Sequence, residues 1–192
     1  MVCIKGLIRR SKMGVVLSLL TSFLVQAEDE SPAPVRVYAT EAELFGMKVN
    51  DLSQQELEMN LSRMGLESYP TYRKDYVSYG LGPEGILGIR DLSVHYNSYR
   101  FVEKMSLSGV IESNQNRKAL GKLLLDKYGK PTAGFVTNGY GRAQWLFDDG
   151  TLIELHNTTF DVSLLYVDRE PMVQPLSGRI DVEALKNQTQ KR

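Results

Sequence analysis

Residues Phe135 to His156, FVTNGYGRAQWLFDDGTLIELH, decide the fold class of this chain. Asn138-Gly139 lies between two strand-like runs, and this dipeptide in that setting is a strong signal for a tight β-hairpin. Asp148-Asp149-Gly150 is a second turn-forming sequence. The strand-like runs beside and after these turns are 135–137, 142–147, 151–156 and 160–167. Strands spaced this closely along the chain predict a largely antiparallel sheet.

A first short helix is predicted well upstream of these strands. Ser53 as N-cap and Glu56 at N3 form a capping box, and Gly65 provides a stop. The apolar face of this helix has residues at helical spacing: Leu57, Leu61 and Met64.

A second helix is predicted from about residue 114 to residue 128, directly before the strands. Gly129 ends it, and Pro131 prevents its continuation. Its apolar stripe is formed by Leu120, Leu123, Leu124 and Tyr128.

Two more strands, 86–96 and 99–108, are predicted between the helices and are joined at Asn97-Ser98. In the second of them, one face is predicted to carry Phe101, Glu103, Met105 and Leu107. The segment from Tyr69 to Tyr79 fits either a helix or a strand, and the Gly80, Gly82 and Pro83 that follow favour a strand.

The order helix, strands, helix, strands indicates a weak internal repeat of about 60 residues. We therefore predict an α+β fold, with a largely antiparallel sheet and two short amphipathic helices packed on one face. The alternative left open is two helix-plus-strands units. Residues 41–168 form the predicted single domain, and residues 169–192 form a polar C-terminal tail in which a short helix over 182–186 is possible.

The N-terminus has the pattern of a cleavable export signal over residues 1–27. A basic front precedes the apolar run Met13–Val25, and Val25-Gln26-Ala27 fits a small-x-small cleavage site. The alternative, a short membrane anchor, is disfavoured because the run has 13 residues and a spanning helix needs about 20. A flexible leader over residues 28–40 is predicted next. These features predict a periplasmic or secreted protein without a stable membrane anchor after cleavage.

Charge and cysteine content exclude several classes of function. The chain has 23 basic and 23 acidic residues, and removal of the four basic residues in the signal leaves 19 basic residues against 23 acidic ones. That balance argues against a nucleic-acid partner, which calls for a basic face. Cys3, the only cysteine, leaves with the signal, so the mature chain has no disulfide and no thiol nucleophile.

Three motifs that could carry chemistry have simpler structural interpretations. Gly80, Gly82 and Gly85 match a dinucleotide-binding pattern, but Pro83 interrupts it and a strand is expected next, so a turn is favoured. His95 and His156 are predicted to be ordinary surface or edge residues. Asp148-Asp149 could bind a divalent cation, although a hairpin turn explains the pair more simply. We accordingly predict no cofactor and no metal.

Aromatic residues provide the candidate binding surface. One face of the predicted sheet is free if both helices cover the other, and aromatic rings on a free face would anchor a partner. The candidate residues are Tyr72, Tyr76, Tyr79, Tyr96, Tyr140 and Trp145. The alternative is that these rings pack in the core.

Gly46-Met47 leading into Ser53-Gln54-Gln55-Glu56-Leu57 resembles the start of the small lipoproteins of the outer-membrane assembly machinery. A second similarity to these lipoproteins lies in the second helix, the Tyr128-Gly129-Lys130-Pro131 sequence after it and the strand containing Trp145. A related architecture occurs in β-lactamase-inhibitor-like domains, which stack two helix-plus-sheet units. The chain departs from the pattern because it has no lipobox cysteine and its spacings are irregular. The resemblance implies a non-catalytic interaction module and assigns no functional residue.

Two classes of function follow from these observations. The first is an exported, non-catalytic binding or interaction protein of the cell envelope, either an inhibitor or immunity protein or an accessory of assembly or secretion. Its partner would be another protein or an envelope component. The alternative is a cell-wall-directed hydrolase that uses paired carboxylates, Glu154 with Asp148 or Asp149.

Overall fold

The computed structural model describes residues 37–173 of the 192-residue chain. The predicted signal peptide, most of the predicted leader, the helix over 182–186 and most of the tail lie outside the described residues. None of the helices formed by residues 37–173 is both long and apolar enough to cross a membrane.

Residues 37–173 form two helices and nine strands. The helices are α1 (Gln54–Arg63) and α2 (Asn114–Tyr128). The strands are β1 (Glu43–Leu44), β2 (Met47–Lys48), β3 (Tyr76–Gly80), β4 (Ile89–Tyr96), β5 (Val102–Val110), β6 (Ala133–Thr137), β7 (Tyr140–Leu146), β8 (Leu152–Asn157) and β9 (Asp161–Val167).

The main sheet has seven antiparallel strands in the order β3-β4-β5-β9-β8-β7-β6, and β1 pairs with β2 separately. β3, β4 and β5 follow α1, whereas β6 to β9 follow α2. The pairing of β5 with β9 joins these two halves into one sheet. The α+β class is confirmed, and the two helix-plus-strands halves share a single core.

One face of the main sheet is buried beneath the helices, and we call it the covered face. Leu107 pairs across the strands with Leu164, which in turn pairs with Leu155. Leu57 of α1 and Leu124 of α2 belong to the same buried cluster. The opposite side is called the open face, and its middle row reads Ser78, Ser93, Ser106, Leu165, Glu154 and Gln144.

The predicted hairpin at Asn138-Gly139 is confirmed. Both residues have left-handed backbone angles, with φ of 52° at Asn138 and 84° at Gly139. A two-residue loop with two positive φ values matches the right-handed twist of the flanking strands, β6 and β7. Gly139 is required for a second reason, because a Cβ there would overlap the carbonyl oxygen of Arg117 in α2. The turn is therefore packed directly against a helix.

The predicted helix boundaries are confirmed, but the apolar faces differ. The hydroxyl of Ser53 accepts a hydrogen bond from the backbone N–H of Glu56, as a capping box requires. Met64 follows the end of α1 and is exposed, and Leu123 on α2 is half exposed. The core side of α2 instead includes Arg117, which is buried. Helical spacing identified the stripe but did not reveal how far the sheet extends beneath it.

The prediction that Glu103 shares a face with Met105 is wrong because β5 contains a bulge. Tyr96 pairs with Val102 and His95 pairs with Lys104, so Glu103 is an extra residue in the ladder. The side chain of Val102 therefore enters the core, and that of Glu103 is exposed.

The segment from Tyr69 to Tyr79 is extended rather than helical, but only its last residues form a strand of the main sheet. β3 begins at Tyr76, and the N–H of Tyr69 donates to the carbonyl oxygen of Ser78 at 2.8 Å. Gly80 ends β3, and Gly82 and Gly85 lie in the loop that leads to β4, so no helix follows them and the turn interpretation is confirmed.

Candidate functional site

Three of the predicted binding aromatics lie on the wrong face of the sheet for an exposed surface. Tyr79, Tyr96 and Trp145 are buried on the covered face, among the core residues. The indole N–H of Trp145 donates to the carbonyl oxygen of Gly129 at 3.0 Å, directly after α2. This corrects the prediction of an aromatic platform, because strand alternation places these rings with the apolar residues that the helices cover.

The other three candidate aromatics are accessible, but Tyr140 lies far from Tyr76. Tyr72 is exposed in the segment before β3, and Tyr76 is partly exposed on the open face. Tyr140 begins β7, where the guanidinium of Arg117 lies 4.3 Å from its ring centroid. β3 and β7 are five strand spacings apart, about 24 Å, so Tyr76 and Tyr140 do not form one site.

Tyr76 is part of a polar cluster on the open face. Its hydroxyl accepts a hydrogen bond from the hydroxyl of Ser78 at 2.7 Å and lies 3.0 Å from that of Ser93. The ring of His95 contacts its ring edge-on, with the centroids 4.8 Å apart. The hydrogen bonds to Ser78 and Ser93, with a smaller contribution from the charge of Arg73, lower the pKa of Tyr76.

The carboxylates proposed for a hydrolase do not face each other. Glu154 lies on the open face, where it accepts a hydrogen bond from Gln144 at 2.5 Å. Asp149 is held in the β7–β8 turn, where its Oδ1 accepts from the backbone N–H of Thr151 at 2.9 Å. The shallow pocket lined by Glu154 has neither Asp148 nor Asp149 in its wall. Glycoside hydrolysis requires two carboxyl groups on either side of one bond, and this arrangement does not supply them.

An apolar pocket of about 430 Å³ opens between α2, the β1–β2 hairpin and the loop from β3 to β4. Its floor is formed by Leu107, Leu164 and Tyr166 of the central strands. The walls are formed by Leu44, Phe45, Leu81, Ile86, Leu87, Leu120, Leu123 and Leu124. Ligand pockets typically measure about 300–1,000 Å³ and are lined mainly by apolar side chains, so both the size and the lining fit a binding site.

The polar groups at the rim of this pocket mostly satisfy one another. Lys127 and Glu43 form an ion pair at 3.0 Å, and the hydroxyl of Tyr128 donates to the backbone carbonyl of Glu43 at 2.7 Å. Burial raises the pKa of Tyr166 well above its ordinary value, so this floor residue stays neutral. The pocket therefore offers apolar contact with little free charge.

Two residues of the pocket wall have left-handed backbone angles, and each begins a two-residue turn. Phe45 has a φ of 51° and Leu87 has a φ of 52°. Bulky residues rarely adopt this left-handed conformation, which carries a cost of about 1–3 kcal/mol. Each of these residues is followed by a glycine of positive φ, Gly46 or Gly88, in a two-residue turn between paired antiparallel residues, and such a turn requires this conformation. Sequence reasoning did not find this pocket, because its walls come from three separated segments of the chain and its floor from two more.

No family model matches this chain, and no curated protein and no solved structure was found to match it. Residues 37–173 also contain no group of three or more His, Cys, Asp or Glu side chains placed to hold a metal ion.

Proposed function

We propose that this protein is an exported, non-catalytic binding protein of the cell envelope that takes an apolar side chain of a protein partner into the pocket beside α2. The apolar lining of a pocket of about 430 Å³, with Ile86 and Leu123 about half exposed at it, carries the proposal. A role as an inhibitor or immunity protein, or as an assembly or secretion accessory, would use the same surface.

A protein partner is favoured over a lipid by the charges around the pocket. Lys127 is paired with Glu43, so among residues 37–173 the lining of the pocket provides no free cation for an anionic headgroup. After removal of the predicted signal the chain carries more acidic than basic residues, which also disfavours an anionic membrane surface. Ile86 and Leu123 are both about half exposed at the pocket, and a partner that covered them would gain apolar burial.

Two leucines of similar exposure provide a test variant and a control variant for binding at the pocket. Leu123 lines the pocket and is 51% exposed, whereas Leu146 lies on the open face and is 47% exposed. The purified protein is titrated with the neutral apolar probe N-phenylnaphthylamine, and cross-linking in envelope extracts then tests for a partner. We expect Leu123→Asp to lose both the probe and the partner, and Leu146→Asp to keep both.

Three results would contradict the proposal. Equal probe binding by both variants would show that the pocket is not the site. Loss of the partner in Leu146→Asp alone would place binding on the open face. A lipid that is extracted from the wild-type protein but not from Leu123→Asp would replace the protein partner with a lipid ligand.

A further inference from the structure

Several oxygen-bearing side chains converge where the β7–β8 turn and the end of β9 meet the loop from β2 to α1. Leu152 pairs with Val167, so Thr151 and Asp168 are the next residues across the same antiparallel ladder. Alternation along β8 and β9 directs both side chains to the covered face, as for Ile153 and Tyr166.

The loop before α1 closes over this pair. The backbone N–H of Asp51 donates to Oδ2 of Asp168 at 2.9 Å. The N–H of Met172 donates to the carboxylate of Asp51 at 2.7 Å, which ties the segment after β9 to the same loop. Asn50 directly precedes Asp51 and so lies beside the contact with Asp168.

Three buried oxygens on these segments have no hydrogen-bond partner among residues 37–173: Asn50 Oδ1, Asp149 Oδ2 and Thr151 Oγ1. Thr151 is 0% exposed, so its hydroxyl has no access to bulk water. The other oxygen of Asp149 is held by the N–H of Thr151, which fixes the orientation of that carboxylate. Buried polar atoms are almost always paired, so unpaired oxygens on segments that meet at Asp168 call for a ligand that oxygen atoms can coordinate.

We propose that these oxygens bind one calcium ion. An amide oxygen, a hydroxyl and a carboxylate, with the carboxylate of Asp168 beside them, form a hard all-oxygen set without nitrogen or sulfur, as Ca²⁺ prefers. The set contains fewer than three acidic residues, and low ligand charge gives weak sites of the kind that extracellular modules use at about 10⁻⁴–10⁻³ M calcium. The bound ion links the α1 half of the fold to the β8–β9 half.

Neighbouring aspartates of one turn provide a matched pair of variants. Asp149→Asn and Thr151→Val each remove a proposed ligand, whereas Asp148→Asn alters the exposed residue next to them. Calcium binding to the full exported protein is measured by titration calorimetry, and thermal unfolding is compared in chelator, Ca²⁺ and Mg²⁺. We expect one Ca²⁺ per chain, a higher melting temperature in Ca²⁺ than in Mg²⁺, and calcium affinity at least about tenfold lower in the Asp149 and Thr151 variants.

The control, Asp148→Asn, should bind calcium as the wild-type protein does. If Asp149→Asn does not fold, Thr151→Val alone carries the test, since it removes only a hydroxyl. The proposal is overturned if the wild-type protein shows no heat of calcium binding and no shift in melting temperature with Ca²⁺. It is also overturned if Mg²⁺ gives an equal shift in melting temperature, or if Asp148→Asn loses as much calcium affinity as Asp149→Asn.

Discussion

Asp168, just after β9, accepts a hydrogen bond from the backbone N–H of Asp51, 117 positions earlier in the chain. Its other oxygen accepts from the N–H of Glu170 at 3.0 Å. The N–H of Met172 donates in turn to the carboxylate of Asp51 at 2.7 Å. One buried carboxylate thus connects the loop before α1, the end of the main sheet and the segment that leaves it.

We expect Asp168→Ala to lower the free energy of unfolding by about 1–3 kcal/mol, because two backbone N–H groups lose their acceptor in a buried place. The matched control is Asp161→Ala, which alters an exposed residue at the start of the same strand. Denaturant unfolding in the presence of a chelator measures both and keeps the comparison independent of calcium. Equal stability of the two variants would contradict the role given to Asp168.

Arg117 is the second residue for which we expect a large effect. Its guanidinium donates to the side chain of Asn157 and, at 2.6 Å, to the carbonyl oxygen of Thr159. Arg117→Ala should cost about 3 kcal/mol because it leaves buried acceptors unpaired. Lys118→Ala, at the exposed neighbouring position on α2, should change the stability little. Urea unfolding followed by Trp145 fluorescence would show the difference, and similar midpoints would contradict it.

Two glycines with nearly the same backbone angle allow the energetic cost of backbone strain to be distinguished from the cost of a steric overlap. Gly139 has a φ of 84° and Gly150 has a φ of 83°, but only at Gly139 would a Cβ meet another segment, the backbone of α2 at Arg117. Gly150→Ala should cost about 1 kcal/mol from strain alone. Gly139→Ala should cost about 3 kcal/mol, since it adds a steric overlap to the same strain. Thermal unfolding of the two variants would test this order, and the reverse order would refute it.

The hydroxyl of Tyr76 should ionise at a lower pH than that of an ordinary tyrosine. Hydrogen bonds from Ser78 and Ser93 favour the phenolate of Tyr76 and so lower its pKa in the folded state. Because the pKa is lower in the folded than in the unfolded state, the folded state gains stability as the pH rises from the folded pKa to the unfolded pKa. Ser78→Ala should raise the pKa of Tyr76, whereas Ser106→Ala, two strands away on the open face, should not. Nuclear magnetic resonance titration with Tyr76→Phe as the assignment control measures the shift; an unchanged pKa in Ser78→Ala would be the contrary result.

Export should remove the first 27 residues. Mass spectrometry of the protein from an envelope fraction should find Glu28 at or near its N-terminus, because the small-x-small ending at Ala27 fits signal peptidase cleavage. The melting temperature of that form should not respond to reducing agent, since Cys3 would be absent. Recovery of an intact Met1 form from membranes would contradict the signal interpretation.

The positions of Trp145 and Tyr96 show how far strand alternation can be read from a sequence. It identifies residues that share a face with Trp145, such as Ala143, but it does not identify the face that the helices cover. A free-face platform and core packing both fit the pattern of these rings, and the structure places Tyr79, Tyr96 and Trp145 beneath the helices. The same limit applies to the pocket, because Phe45, Leu87, Leu123 and Leu164 come from four separated segments.

The sequence by itself determined the Asn138-Gly139 hairpin, the Ser53 cap, the ends of both helices and the α+β class. Each of these depends on backbone preferences and hydrogen bonds between residues only a few positions apart. Tertiary structure alone decided the pairing of β5 with β9, the bulge at Glu103, the burial of Arg117 and the contact of Asp51 with Asp168. These features arise from contacts between segments that are distant in the sequence. Which segments pack together depends on the fit of their whole surfaces, and no short run of residues determines that fit.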